Sequence, residues 1–454
     1  MKSIYFWLAG LLAVLPACSG KGGGSTIHDN PFDTEGEASI GVSYTSNADS
    51  VFMKLDISGD LAFDQISVRD ENGKNDLTLK GSQRECTLTH IPANVPTKVT
   101  VTLLSQGEKV DETLLYMRID GLDATLLHLI IPDKGSVTAG DGMYSIGLPD
   151  GRSIFLMGDS YTGEVQGIKR VSGNHMYRNT YSVYDPATKK SFAITGPNEH
   201  SAAVPPGQPN ETEWYWPGHG FVSGNTLYIF QSLMYQGSEG MWGFMYRNTH
   251  LLEYSLPDIT LKSDNVIPFT GPDNIHYGAA AMADGDYLYI YAQVDVENGL
   301  SPVTEVRVGR TTPGQIRTHW EYWNGKAWVD GADSAVKLDG LTTVPVSSQF
   351  NVFKLRDKYV LLTRDKRMWV GEVYTWISDN PQGPWRNKKL IYEITPLEQD
   401  NWFTYNAMAH PQLERDNMIP VSYCVNTDVF AEQFSNVYSY RPRFFWVEVD
   451  DILH

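Results

Sequence analysis

Short runs in which apolar and polar residues alternate fill the first quarter of the chain after residue 35. Alternation with a period of two over a few residues is typical of half-buried antiparallel strands, and turn signals such as Asn72-Gly73 separate the runs. We therefore predict an immunoglobulin-like β-sandwich over residues 35–120, serving as a spacer or presentation module. A carbohydrate-binding module is the alternative, and the near-absence of aromatic residues argues against it. The alternating apolar positions are Val51, Met53, Leu55 and Ile57, Ile66 and Val68, Leu77 and Leu79, Cys86 and Leu88, and Val99, Val101 and Leu103.

After Asp120-Gly121 the pattern changes to a repeated unit. Each unit has an apolar or small-residue strand, a turn rich in Gly, Asp or Asn, and a strand rich in Tyr, Ile, Leu and Phe. Irregular repeats of about four strands favour a β-propeller, and five units predict five blades over residues 121–454. A strand near Leu126–Ile131 and the final strand Phe444–Val449 are expected to close the ring. The five units begin with residues 143–157, 218–231, 277–293, 349–363 and 406–423.

The first unit is a hairpin with an aspartate at each outer end. Pro149, Asp150 and Gly151 form its turn, so Asp141 and Asp159 are expected to lie close together. Two neighbouring carboxylates shift each other's pKa, and such a pair is the usual chemistry of glycoside hydrolysis. The alternative is that both aspartates cap turns or strands.

Several polar and aromatic residues lie where the inner strands of a propeller would converge on one face. We predict that these residues bind the substrate, with Trp216 stacking on a sugar ring. For each lone histidine or arginine, a purely structural contact is the alternative. The predicted substrate-binding residues are Asn179, Trp216, His219, His276, Arg307, Gln349, Tyr405, Asn406 and His410.

A competing motif suggests a serine esterase. Gly158-Asp159-Ser160 matches the first block of the GDS-type esterases, and Asp451 with His454 imitates their closing Asp-x-x-His. Such a triad needs a fold of alternating strands and helices, which the sequence does not predict. We therefore disfavour this interpretation.

The N-terminal residues have the pattern of a targeting segment. Lys2 and the apolar run from Ile4 to Leu15 precede Leu-Pro-Ala-Cys, which resembles a bacterial lipobox. We predict a lipoprotein signal peptide over residues 1–18, lipidation of Cys18 and a flexible Gly/Ser-rich tether over residues 19–34. The predicted location is the cell envelope, lipid-anchored on either face of the outer membrane; an ordinary cleaved signal peptide is the alternative.

Charge and cysteine content limit the classes of partner and cofactor that the protein is expected to bind. The 454-residue chain has a net charge of −18, which disfavours nucleic acid as a partner. Besides Cys18, only Cys86 and Cys424 are present, and no Cys/His cluster predicts a disulfide or structural zinc. We expect a monomer without a cofactor. Carboxylates and carbonyls in a channel could ligate a cation such as calcium, although no EF-hand-like loop is present.

The hairpin DGMYSIGLPDGRSIFLMGDS, with WYWPGHGFVSGNTLYIF, IHYGAAAMADGDYLYIYAQ and WEYWNGKAW, resembles a family of five-bladed propeller proteins. Many of its members are bacterial lipoproteins with a domain of unknown function, and the resemblance covers roughly residues 125–454. Related members are similar to endo-acting hydrolases of D-arabinan, and the layout is similar to arabinanase and fructosidase propellers that use three acidic residues. The resemblance implies a glycoside hydrolase with Asp141 and Asp159 as catalytic carboxylates. A non-catalytic glycan-binding lipoprotein is the alternative.

Overall fold

The computed structural model describes most of the chain from Ile40 to His454. These residues are nearly all β-structure, as the sequence predicts. None of the helices among them is long and apolar enough to span a membrane. The predicted signal peptide, Cys18 and the tether lie outside the described residues. The described residues are 40–46, 50–58, 61–91, 97–117, 122–207, 212–240, 243–296, 303–342, 344–367, 370–394, 397 and 399–454.

The N-terminal part contains two antiparallel sheets with orders β1-β2-β5 and β4-β3-β6-β7. Side chains from both sheets share one apolar core, in which Val51 and Met53 of β2 meet Val99 and Val101 of β6. The exposed Phe52 between the two buried residues confirms the predicted alternation. The strands are β1 (Ile40–Ser46), β2 (Ser50–Ile57), β3 (Gln65–Asp70), β4 (Asp76–Lys80), β5 (Glu85–Thr89), β6 (Thr97–Ser105) and β7 (Glu108–Met117).

The remaining residues form five larger antiparallel sheets, called here the first to fifth sheets in chain order, and a separate two-stranded ribbon, β10-β11. The first sheet contains β8 (Ala139–Gly147), β9 (Ser153–Tyr161), β12 (Met176–Tyr177), β13 (Thr180–Asp185) and β14 (Lys190–Ile194); the ribbon is β10 (Val165–Gln166) and β11 (Lys169–Arg170). The second contains β15 (Glu213–Ser223), β16 (Thr226–Gln236), β17 (Phe244–Ser255) and β18 (Thr260–Val266). The third contains β19 (Ile275–Asp284), β20 (Tyr287–Val296), β21 (Val303–Thr311), β22 (Glu321–Trp323) and β23 (Trp328–Val329). The fourth contains β24 (Asn351–Leu355), β25 (Lys358–Arg364), β26 (Glu372–Ser378) and β27 (Arg386–Glu393), and the fifth β28 (Trp402–Ala409), β29 (Met418–Thr427) and β30 (Arg443–Glu448).

The strand predicted near Leu126–Ile131 is wrong, because this segment is helix α1 (Ala124–Ile130). Asp123 caps the helix by accepting a hydrogen bond from the Leu126 N–H at 2.8 Å. A short, buried apolar run has the same appearance in a strand and in a buried helix, so its periodicity did not distinguish them. The other short helices are α2 (Glu432–Ser435) and α3 (Val449–Leu453).

Helix α1 also joins the N-terminal sheets to the larger part of the chain. The ring of His128 stacks on that of Tyr116, with centroids 3.6 Å apart. The backbone N–H of Tyr116 donates to the Thr125 hydroxyl at 3.0 Å. On its other side, the helix packs against β30 of the fifth sheet.

The five sheets contact one another in cyclic order, and the fifth returns to the first. Hydrogen bonds of two histidines cross three of these junctions. His219 on β15 approaches the Ser145 carbonyl on β8 at 3.3 Å and accepts the Ala281 N–H of β19 at 3.1 Å. His410, which follows β28, contacts the Ser145 hydroxyl at 2.7 Å and thereby links the last sheet to the first. The chain therefore forms a ring of sheets with apolar side chains packed between neighbours.

Substitution of His410 tests this closure. His410 is fully buried, and its other ring nitrogen contacts the Ser422 hydroxyl at 2.9 Å. In His410→Ala, two buried hydroxyls lose a partner and a cavity forms, so we expect the free energy of unfolding to fall by roughly 2–4 kcal/mol. Chemical denaturation measures this loss. His454→Ala, at an exposed terminal position, is the control, and equal stability of the two variants would contradict the assigned contacts.

Candidate active site

The hairpin of β8 and β9 brings Asp141 and Asp159 to the same end of the first sheet. Gly140 pairs with Ser160, and the register then shifts on either side of Gly142. Gly142 has a φ of +97°, a conformation that glycine adopts without strain. This irregularity turns the Asp141 carboxylate over Gly158, where a Cβ would lie only 2.5 Å from Asp141 Oδ1. The hairpin expected from the sequence therefore does place the two aspartates side by side.

Asp141 is half-buried, and its surroundings favour the protonated form of the carboxyl group. Burial raises its pKa to about 7, and the charge of Asp159 acts in the same direction. Hydrogen bonds from Tyr405, whose hydroxyl donates to Oδ2 at 2.7 Å, and from Tyr440 oppose this rise. Both tyrosines come from the fifth sheet region, so the last part of the chain completes the environment of the first hairpin.

Asp159 differs from Asp141 because it has a cationic neighbour. Burial also raises its pKa, but the Arg178 guanidinium, whose Nη1 lies 3.4 Å from Oδ2, opposes the rise. The Trp216 indole N–H donates to Oδ1 at 2.9 Å and acts in the same direction. Arg178 itself lies over the Trp214 ring at 4.4 Å, which holds the guanidinium in place. The two carboxyl groups therefore have different surroundings, because a cation favours the ionised form of Asp159 whereas the charge of Asp159 raises the pKa of Asp141.

These contacts distinguish the two aspartates from turn caps. Asp185, for comparison, accepts the backbone N–H of Ala187 within its own turn at 2.9 Å. Among the described residues, the partners found for the Asp141 and Asp159 carboxylates are side chains from other elements. The capping alternative therefore does not describe either residue.

Trp216, Tyr405 and Asn406 are three of the predicted binding residues near this pair. Trp216 and Tyr405 contact the aspartates directly. Trp216 also packs edge-on against Phe244, with ring centroids 4.7 Å apart, so part of the indole is covered by a contact within the protein. Asn406 follows Tyr405 with a φ of +49°, at an irregularity in the pairing of β28 with β29. Sugar binding by these three residues stays a prediction.

His276, Arg307 and Gln349 belong to the third and fourth sheet regions. His276 stacks on Tyr246, with centroids 3.7 Å apart, and burial lowers its pKa. Arg307 donates to the Ala335 carbonyl at 2.9 Å, but its Nε has no hydrogen-bond partner among the described residues. The buried Gln349 Oε1 likewise has no partner within the described part of the chain. Such unpaired polar atoms are suited to a ligand or ordered water.

Three other predicted binding residues are occupied by contacts within the protein. Asn179 is fully buried, and its side chain bonds the backbone of Ala203 and the carbonyl of Tyr215. His219 and His410 connect neighbouring sheets, as described above, and burial lowers the pKa of both, that of His410 to about 3. These internal contacts favour a structural role for the three residues, and their predicted contact with a substrate stays a prediction.

The esterase triad is not assembled. The Ser160 hydroxyl donates to the Gly158 carbonyl at 2.9 Å and contacts the Thr180 hydroxyl at 2.8 Å. His454 instead ends α3 and lies beside Asn387 and Lys389. The described residues also contain no cluster of three or more His, Cys, Asp or Glu that could hold a metal ion.

Sequence reasoning missed Arg178, Tyr440 and the contact with Trp214. Arg178 precedes β13, and Tyr440 lies in a short 3-10 helix between β29 and β30, outside the repeated strands. The signal that could have drawn attention to Arg178 was its position next to Asn179. No pattern in the sequence marked Tyr440.

The comparisons with known proteins identify the family. Residues 131–449 match the model of DUF5005, a domain of unknown function, so the chain belongs to this family. No curated protein matches the chain.

Comparison with solved structures shows which proteins have a fold similar to that of this chain. A protein of Bacteroides ovatus ATCC 8483, provisionally described as a hydrolase, is 22% identical over 74% of this chain and 90% of its own, with a TM-score of 0.59. A GH43_1 enzyme of Xanthomonas citri complexed with xylotriose is 14% identical over 72% of this chain and 93% of its own, with a TM-score of 0.40. An exo-1,5-alpha-L-arabinanase from a bovine ruminal metagenomic library is 9% identical over 69% and 93%, with a TM-score of 0.37. The first similarity establishes a shared fold; the other two are too distant to support an argument about chemistry.

The contacts of Asp141 predict opposite effects of two substitutions on its pKa. Tyr405→Phe removes a donor that favours the ionised carboxylate, so the pKa should rise above about 7. Asp159→Asn removes a neighbouring negative charge, so the pKa should fall. Carboxyl-carbon NMR titration of both variants and the unmodified protein measures the shifts. Shifts in the same direction would contradict this account of the site.

Proposed function

We propose that this protein hydrolyses glycosidic bonds in a polysaccharide or oligosaccharide. The observation that supports this proposal is the pair of half-buried aspartates whose surroundings differ, since Asp159 has a cation beside it and Asp141 does not. Two neighbouring carboxyl groups with pKa values pushed apart are the usual requirement for acid catalysis combined with a nucleophile or base.

In the proposed mechanism, protonated Asp141 is the general acid. It donates its proton to the glycosidic oxygen as the bond to the sugar breaks, which stabilises the departing alcohol. Ionised Asp159 either attacks the anomeric carbon or removes a proton from the attacking water. Arg178 and the Trp216 indole N–H keep Asp159 charged and oriented, and the Tyr405 hydroxyl orients Asp141.

The substrate is proposed to be arabinan or a related polymer. Trp216, His276, Arg307, Gln349, Tyr405 and Asn406 are the proposed contacts with sugar hydroxyls and ring faces. The unpaired polar atoms of Arg307 and Gln349 support the choice of these two residues as substrate contacts, because buried polar groups normally have partners. A calcium ion or other cation in the channel is not needed for this mechanism.

The finer architecture is also part of the proposal. We propose that the five sheets are the blades of a five-bladed propeller and that the seven N-terminal strands form an immunoglobulin-like sandwich. The cyclic contacts of the sheets and the shared core of the two N-terminal sheets support these assignments. The domain boundaries at residues 35, 120 and 121 stay predictions.

Export is proposed from the sequence alone. The lipobox-like Leu-Pro-Ala-Cys predicts a chain that is tethered to the bacterial envelope through Cys18. We further propose that the protein works there as a monomer. A polymeric substrate is consistent with this location, since large glycans are met outside the cytoplasm.

A product assay with matched variants tests the proposed chemistry. The protein lacking residues 1–18 is incubated with arabinans and other furanose and pyranose polysaccharides, and released oligosaccharides are recorded. We expect Asp141→Asn and Asp159→Asn each to lower kcat roughly 100-fold or more while both variants remain folded. Asp185→Asn, which changes only a turn aspartate, is the control.

Unchanged product formation in both active-site variants would contradict the proposal. Saccharide binding without any product from the unmodified protein would instead support the alternative, a glycan-binding protein that uses the same pocket.

Gly158→Ala tests the close approach of Asp141 to the second strand. The new methyl group would lie 2.5 Å from Asp141 Oδ1 and must displace the carboxylate. We expect turnover to fall roughly tenfold or more, because a displacement of about 1 Å is costly to catalysis, with little change in melting temperature. Gly314→Ala is the control, since no atom lies within 4 Å of its added Cβ. Equal activity of the two variants would show that the position of the Asp141 carboxylate does not matter.

A further inference from the structure

Two buried arginines meet behind the hairpin that carries Asp141. Arg441 is 0% exposed and Arg170 is 8% exposed. Arg170 donates from Nη1 to the Thr138 hydroxyl at 2.7 Å, and Arg441 donates from Nε to the Thr138 carbonyl, also at 2.7 Å. Both guanidinium groups are therefore fixed on the same residue, immediately before β8.

The two guanidinium groups of Arg170 and Arg441 carry more positive charge than the neighbouring carboxylate balances. Asp133 lies 3.0 Å from Arg441 Nη2 and is the carboxylate of that ion pair. Arg170 forms no ion pair among the described residues; its guanidinium lies over the Tyr161 ring at 4.6 Å and donates to the Thr162 carbonyl at 2.9 Å. His128, near Asp133, adds no further positive charge at neutral pH, because burial lowers its pKa to about 4. A buried charge without a counter-charge is strongly destabilising.

Arg170 and Arg441 also have N–H groups that donate no hydrogen bond within the described part of the chain. Nε and Nη2 of Arg170 and Nη1 of Arg441 are buried and have no partner in the described part of the chain. Buried N–H groups of an arginine are normally paired, because each loses its water on folding. Three enclosed donors and an excess positive charge together call for an acceptor that is negatively charged and small.

We propose that Arg170 and Arg441 bind a small monovalent anion of the size of chloride. The anion would accept the unpaired N–H groups and balance the charge of Arg170. Because the donors are enclosed, a larger oxyanion such as phosphate is disfavoured. The site is separate from the two aspartates, but Thr138 lies three positions before Asp141 and the Tyr440 hydroxyl donates to the Asp159 carbonyl at 2.9 Å. The anion would thus brace the base of the active-site hairpin.

Bromide, which replaces chloride and scatters X-rays anomalously, tests the site directly. Crystals of the folded chain soaked in sodium bromide should show an anomalous peak within hydrogen-bonding distance of both guanidinium groups. A water molecule there without any anomalous signal would overturn the proposal. This result does not depend on hydrolase activity, so it is independent of the proposed function.

Thermal unfolding supplies the second measurement. At constant ionic strength, sodium chloride should raise the melting temperature by about 2 °C or more relative to sodium gluconate, whose anion is too large for the site. Arg170→Gln should abolish this difference, whereas Arg356→Gln, at a surface ion pair with Glu414, should keep it. If Arg170→Gln does not fold, the bromide experiment on the unmodified protein still decides. An anomalous peak without any chloride-dependent change in melting temperature would indicate an adventitious ion only and overturn the proposal.

Discussion

The structure depends on the closure of the sheet ring between its first and last members. Ser145 and His410 come from opposite ends of this part of the chain, and their hydrogen bond joins β8 to the fifth sheet. Once the ring is closed, each innermost strand has a neighbour on both sides, and apolar side chains fill the spaces between sheets. Such an arrangement leaves few unprotected sheet edges and fixes the direction in which each inner strand ends. The aspartate pair lies at one of these ends.

The electrostatics of the pair follow from that position. Burial alone would push the pKa of both carboxyl groups upward, and the charge of Asp159 raises the pKa of Asp141 further, so the two resist simultaneous ionisation. Arg178 breaks the symmetry, because it favours the charge on Asp159. The difference between the two identical side chains is therefore produced by residues that neither strand of the hairpin supplies, with Arg178 the main one beside Asp159.

The sequence allowed the elements with strong local signals to be predicted. The turn at Pro149–Gly151 and the alternation in β2 are local features, and both are present in the structure. The segment Leu126–Ile131 was wrongly predicted as a strand because a short apolar run carries no usable period, and the cap at Asp123 was overlooked. His219 was placed correctly on an inner strand and His410 comes directly after one, but the contacts of both side chains depend on the neighbouring sheet. Arg178 and Tyr440 come from irregular connections, whose positions only the tertiary fold determines.

The origin of the residues around Asp141 has a consequence for the order in which the chain is made. Both aspartates and Arg178 are synthesised well before Tyr405 and Tyr440, which lie far downstream in the sequence. A nascent or truncated chain that ends before Tyr405 would carry the acidic pair without the side chains that enclose it. The surroundings of Asp141 are thus complete only once Tyr440 has been synthesised.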